Sequence, residues 1–124
     1  MTAWSVEHAR QLYSLPYWSE GYFDINADGF VVAQPLGPEG PHLPIPELIE
    51  QATRDGFKLP LLLRFADILP NRLRAMQSAF NAEMAQLGYR GGYTAVYPIK
   101  VNQNFGVAGV LAAAGDEQFG LEAG

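Results

Sequence analysis

From Leu59 onward, short apolar runs alternate with amphipathic stretches, and this alternation limits the possible folds more than any other feature of the chain. Leu59-Pro60-Leu61-Leu62-Leu63-Arg64-Phe65 is apolar at nearly every position, as a strand covered on both faces should be. Ile68 to Leu87 places Leu69, Leu73, Met76, Phe80, Met84 and Leu87 at steps of three and four, which predicts a long amphipathic helix ended by Gly88. A second strand, beginning near Tyr93 and running to Lys100, follows Gly91-Gly92, a pair that reads as a turn. A helix is predicted from about Asn104 to Ala114, with Val107, Val110, Leu111 and Ala114 inward and Gly115 closing it. Phe119-Gly120-Leu121-Glu122 begins a third strand. The order strand, helix, strand, helix, strand predicts an α/β fold whose strands are parallel and joined by right-handed crossovers, in an open sheet or in a (β/α)8 barrel. Three strands leave apolar faces and an edge uncovered. The chain is therefore expected to be an amino-terminal part of a longer protein, in preference to a small domain that borrows strands from a partner chain.

The preceding residues read differently. Ser5 can cap a short helix running to about Tyr13, with Pro16 stopping it. Gly21-Tyr22-Phe23-Asp24-Ile25 and Phe30-Val31-Val32-Ala33 predict a β-hairpin around Asn26-Ala27-Asp28-Gly29, where Gly29 is free to take positive φ. Such a hairpin is marginal alone and must pack on something else. Pro35, Pro38, Pro41, Pro44 and Pro46, with Gly37 and Gly40, predict a stiff connector that continues neither strand nor helix. A helix then runs from Pro46 to about Asp55, with Gly56 as its C-terminal cap. The domain boundary falls in the connector: residues 1–46 form an amino-terminal subdomain, and residues 47–124 the start of the main α/β unit.

Composition narrows the function by exclusion. The net charge of −5 and the lack of a Lys/Arg cluster argue against nucleic-acid binding, which requires cations to neutralise phosphates. No apolar run is long enough to span a bilayer, and Met1-Thr2-Ala3-Trp4-Ser5 lacks the layout of a secretory signal; both favour the cytoplasm. With no cysteine, disulfides and thiolate metal sites are excluded. His8 and His42 lie far apart and have no metal-ligand spacing with a carboxylate, so each reads as a surface or packing residue.

The chemistry of the chain concentrates in Tyr93-Thr94-Ala95-Val96-Tyr97-Pro98-Ile99-Lys100-Val101-Asn102-Gln103. An apolar strand ends by delivering a lysine to the rim of a sheet, and Lys58 is the only other lysine. A primary amine there is placed to act as a Schiff-base nucleophile, helped if burial favours its neutral form. A solvated strand end is the plainer reading of the same residue. Arg64, Asp67 and Glu122 mark the carboxyl ends of the other two predicted strands, the end at which barrels collect functional residues.

Four blocks carry a resemblance to a known family. They are Trp18 through Asp24 with Gly29; Leu61-Leu62-Leu63-Arg64-Phe65-Ala66-Asp67-Ile68-Leu69; Tyr97-Pro98-Ile99-Lys100-Val101-Asn102-Gln103; and Gly120-Leu121-Glu122-Ala123-Gly124. In this order they resemble the amino-terminal part of the biosynthetic arginine decarboxylases, which depend on pyridoxal phosphate and have the alanine-racemase-like barrel. The resemblance implies that residues 47–124 begin a (β/α)8 barrel and that Lys100 holds pyridoxal 5'-phosphate as a Schiff base. It implies decarboxylation of L-arginine to agmatine and carbon dioxide, on the way to putrescine and spermidine, in a homo-oligomer that also uses magnesium. Asn102 and Glu122 match family motifs near the barrel mouth and become pocket candidates, although a turn or helix cap and a solvated strand end account for them equally. The phosphate cradle, the acid facing the pyridine nitrogen, the ring-stacking histidine and a β-domain are expected beyond Gly124. A non-catalytic fragment or interaction module is the alternative, as is another amino-acid decarboxylase or racemase on the same barrel.

Overall fold

The computed structural model describes residues 3–124; Met1 and Thr2, the first residues of the terminus read above as free of a secretory signal, lie outside the described residues. The chain forms two compact units, the first ending at Phe65 and the second running from Ala66 to Gly124.

In the first unit, α1 (Val6–Leu12) starts at Ser5, whose hydroxyl oxygen accepts the His8 amide at 3.1 Å. This satisfies one of the amides that the first turn of a helix leaves without a partner. Pro16 does not end this helix. Ser14, at φ 54°, breaks it first, and Pro16 sits in the opening turn of a second short helix, α2 (Leu15–Trp18); a missing N–H costs nothing there because that position has no intrahelical acceptor. The predicted hairpin forms as β1 (Phe23–Ile25) and β2 (Val31–Ala33), with Phe23 opposite Ala33 and Ile25 opposite Val31. Its turn is built by Asn26, whose side-chain oxygen accepts the amides of Asp28 at 3.1 Å and Phe30 at 2.9 Å. Gly29 supplies the left-handed φ of 83°, which a Cβ would strain.

The proline connector does more than expected. Leu43–Pro44 forms β3, antiparallel to β2, so the sheet has three strands in the order β1-β2-β3. A proline is tolerated because β3 is an edge strand and needs no outward-facing donor. Helix α3 (Ile45–Arg54) ends as predicted: Gly56 takes φ 92°, its amide bonds the Thr53 carbonyl, and Phe57 N–H reaches Ala52. That is the paired 5→2 and 6→1 closure of a glycine-terminated helix. The buried centre of this unit combines Ala9, Leu15 and Ile25, with Val6 and Phe23 packed against them.

Leu59–Phe65 is not a strand. Leu59 and Leu62 are 71% and 77% exposed, while Leu61, Leu63 and Phe65 are half-buried. Apolarity records how strongly this segment favours burial, but a strand also needs a neighbour to complete its backbone hydrogen bonds, and none of the described strands pairs with it.

The second unit is a βαβ arrangement preceded by a long helix. Helix α4 (Ile68–Gln86) ends at Gly88, with Gly88 N–H on Ala85 and Tyr89 N–H on Met84. Strand β4 (Ala95–Pro98) pairs in parallel with β5 (Phe119–Glu122), Ala95 opposite Phe119 and Pro98 opposite Glu122, and α5 (Phe105–Ala114) connects them. Leu73, Ala95 and Leu111 form the core; Leu69, Tyr93, Tyr97, Val107 and Phe119 pack around it. The apolar stripe predicted on α4 is only partly covered. Leu73 is buried, but Met76, Phe80 and Leu87 are 47%, 49% and 80% exposed, since two strands cannot cover nineteen residues of helix. An open groove of about 500 Å³ lies along this face, lined by Leu69, Leu73, Met76, Tyr97 and Phe119.

Candidate functional site

Strand β4 aims its carboxyl end at a tight turn. Side chains alternate along it, so Ala95 and Tyr97 face the core while Val96 is exposed. Pro98, paired with Glu122, is the last ladder residue, and the chain then enters a single 3-10 turn, Ile99–Val101. Lys100 sits at the centre of that turn. The strand is thus shorter than the Tyr93–Lys100 run expected from the sequence, and the lysine is held by a turn just past it. Within this chain Lys100 is exposed, so the burial invoked to favour its neutral amine is not supplied by the described residues.

The flanks of the turn are tied down. The Tyr97 hydroxyl donates to the Asn102 carbonyl at 3.0 Å, closing a loop around Lys100. The Asn102 side-chain oxygen accepts the Asn104 amide at 3.0 Å, and Asn104 in turn caps α5 by accepting the Gly106 amide at 2.8 Å. The Asn102 side chain therefore serves its own turn, and Asn104 is the helix cap. Glu122 is the last residue of β5, opposite Pro98, so its backbone lies at the same end of the sheet as the lysine turn. Arg64 and Asp67 do not join this arrangement through a strand end, because Leu59–Phe65 forms no strand; Asp67 instead precedes α4 as its N-cap residue.

At the opposite end of the second unit lies a polar cluster that sequence patterning missed. Gln77 is buried and donates to the Asp116 carboxylate at 3.2 Å, and Asn81 donates to the Gln118 side chain at 3.0 Å. Asp116 also accepts the Gln118 amide at 2.8 Å, and the Gln118 carbonyl accepts the Ala95 amide at 2.8 Å. The only available signal was a glutamine and an asparagine four residues apart on an otherwise apolar helical face. The cluster pins α4 to the loop entering β5, away from the lysine turn.

In the first unit Arg10 grips Asp24 in a fork, Nε to Oδ1 at 2.6 Å and Nη2 to Oδ2 at 2.7 Å. These hydrogen bonds hold the Asp24 carboxyl below its usual range, against the opposing effect of desolvation. His42 lies between the Gln34 amide, 3.1 Å away, and the Pro38 carbonyl, 2.9 Å away, as a packing residue would. Among the described residues no three of His, Asp or Glu come together as metal ligands. No helix among them is long and apolar enough to cross a membrane. Lys100 is an exposed primary amine, a group able to condense with an aldehyde.

Comparison with known proteins gives a consistent result. No protein-family model matches the chain. A biosynthetic arginine decarboxylase of Xanthomonas axonopodis pv. citri is 54% identical over all of this chain, and one of Pseudomonas putida is 42% identical over 98% of it. The crystal structure of the biosynthetic arginine decarboxylase SpeA from Campylobacter jejuni matches 90% of the chain with a TM-score of 0.75 at 34% identity. The chain spans about a fifth of the length of the curated relatives it matches, 20% of the Xanthomonas protein. From end to end, then, the chain is related to a stretch of the biosynthetic arginine decarboxylases amounting to about one fifth of their length.

Proposed function

We propose that these residues belong to a pyridoxal-phosphate-dependent arginine decarboxylase, in which Lys100 binds the cofactor and L-arginine is converted to agmatine and carbon dioxide for polyamine synthesis in the cytoplasm. The reading is carried by one observation: an accessible amine held in a short turn directly after a parallel strand, in a chain related throughout to proteins of that name. In the whole enzyme, residues 1–46 would form the amino-terminal subdomain and residues 47–124 would open the (β/α)8 barrel. Glu122, at the tip of the neighbouring strand, would lie at the pocket wall. Asn102 would contribute through its backbone, since its side-chain oxygen is already engaged. When bound, the cofactor supplies an electron sink for the charge left by the departing carboxylate. What this chain adds is the amine and the rigid strand and turn that present it. Groups to hold the phosphate and the pyridine nitrogen would come from the rest of the polypeptide, as would any magnesium ligands, and the enzyme would act as a homo-oligomer.

Borohydride reduction of the full-length holoenzyme followed by peptide mapping tests this. A pyridoxyl group on Lys100 is expected, and one on Lys58 or elsewhere would overturn the assignment. Turnover measured against arginine, ornithine, lysine and diaminopimelate separates an arginine decarboxylase from another enzyme on the same barrel. The non-catalytic alternative has support of its own in the sparsely covered parallel sheet, and it is tested below with the isolated chain.

A further inference from the structure

We infer that Tyr97 is a positioning residue for Lys100: its ring is anchored in the core of the second unit, and its hydroxyl holds the far side of the lysine turn. This inference rests on the proposed role of Lys100. Tyr97 lies two residues after buried Ala95 on the same face of β4 and packs with Leu73, Ala95 and Leu111. Its hydroxyl crosses five residues of sequence to the Asn102 carbonyl at 3.0 Å. Lys100 is central in the segment so enclosed. On the near side of the turn, the ladder ends at Pro98; on the far side, Asn102 is linked to α5 through Asn104. The hydroxyl therefore ties the far end of the turn directly back to the strand that enters it, closing the segment that carries Lys100. A reacting amine displaced by a fraction of its approach distance loses rate steeply, so the bond acts on the reaction without Tyr97 touching substrate.

Tyr97→Phe in the full-length enzyme removes the hydroxyl and keeps the ring in the core. Hydrogen exchange measured without cofactor should accelerate several-fold at the amides of residues 99–103, with those of α4 and β5 unchanged. With cofactor, kcat should fall by about tenfold while KM for arginine stays within about twofold. Introducing para-aminophenylalanine at position 97, which restores a donor at the same site, should recover most of kcat. Unchanged exchange in the turn, exchange accelerated throughout the second unit, or unchanged kcat would each overturn the positioning role. Mapping of the reduced adduct is independent of these readouts. If the adduct lies off Lys100, the proposed function fails even where Tyr97 is found to order the turn; if it lies on Lys100 and Tyr97→Phe changes nothing, only the present inference fails.

Discussion

At the scale of single residues, two positions behave very differently. Lys100 is exposed, and in the proposed role its value lies in nucleophilicity and placement. Lys100→Arg in the full-length enzyme preserves the positive charge but removes the amine able to condense with an aldehyde. Activity should drop by at least about a hundredfold and borohydride labelling should vanish, while thermal stability stays within about 0.5 kcal/mol of the parent. Asp24 is instead a structural charge. Because Arg10 depresses its folded-state pKa, the contribution of the pair is fully present above the ordinary aspartate value, about 3.9, and is lost as pH falls through the lower folded value. Asp24→Asn should therefore cost about 1 kcal/mol at neutral pH, in keeping with a bidentate pair one-third open to solvent. The difference between variant and parent should shrink in acid; a pH series of urea melts monitored by Trp fluorescence measures it.

At the scale of elements, helix ends decide where the lysine turn sits. Asn104 begins α5 immediately after that turn, and its side-chain bond to Gly106 fixes the first turn of the helix. Asn104→Ala should cost about 1 kcal/mol and, by fraying the start of α5, should increase hydrogen exchange at residues 104–107. Asn104→Asp or Asn104→Ser should restore most of the loss, because both retain an accepting oxygen. The ends of α3 and α4 were legible in advance, since Gly56 and Gly88 occupy left-handed positions of φ 92° and 63° that penalise any Cβ. The edge strand Leu43–Pro44 was not legible. Proline content correctly predicted an interrupted backbone, yet register with Ala33 and Val32 is a property of the sheet and not of the segment.

At the scale of the whole molecule, the second unit has a two-stranded parallel sheet under a nineteen-residue helix. Apolar side chains such as Leu62, Phe80 and Leu87 remain open to water. Burying each would contribute about 1.5–3 kcal/mol, so an isolated chain gains by associating. The 124-residue chain expressed alone should show concentration-dependent association in sedimentation experiments and form no agmatine from arginine. Agmatine production by that chain as a verified monomer would contradict the proposal that the remaining cofactor contacts come from elsewhere in the enzyme.

The sequence alone determined the local structure: the caps at Ser5, Gly56 and Gly88, the Asn26–Gly29 turn, the helical stripe on Ile68–Gln86, and the block containing Lys100. Each follows from the conformational or chemical preferences of residues close together along the chain. Tertiary structure decided what depends on a partner. It left Leu59–Phe65 unpaired, recruited Leu43–Pro44 into a sheet, and set Pro98 opposite Glu122 so that the lysine turn and a carboxylate-bearing strand end share one edge. It also brought the Tyr97 hydroxyl to the Asn102 carbonyl. A strand's hydrogen bonds and a side chain's reach are completed only by whatever lies beside them in space.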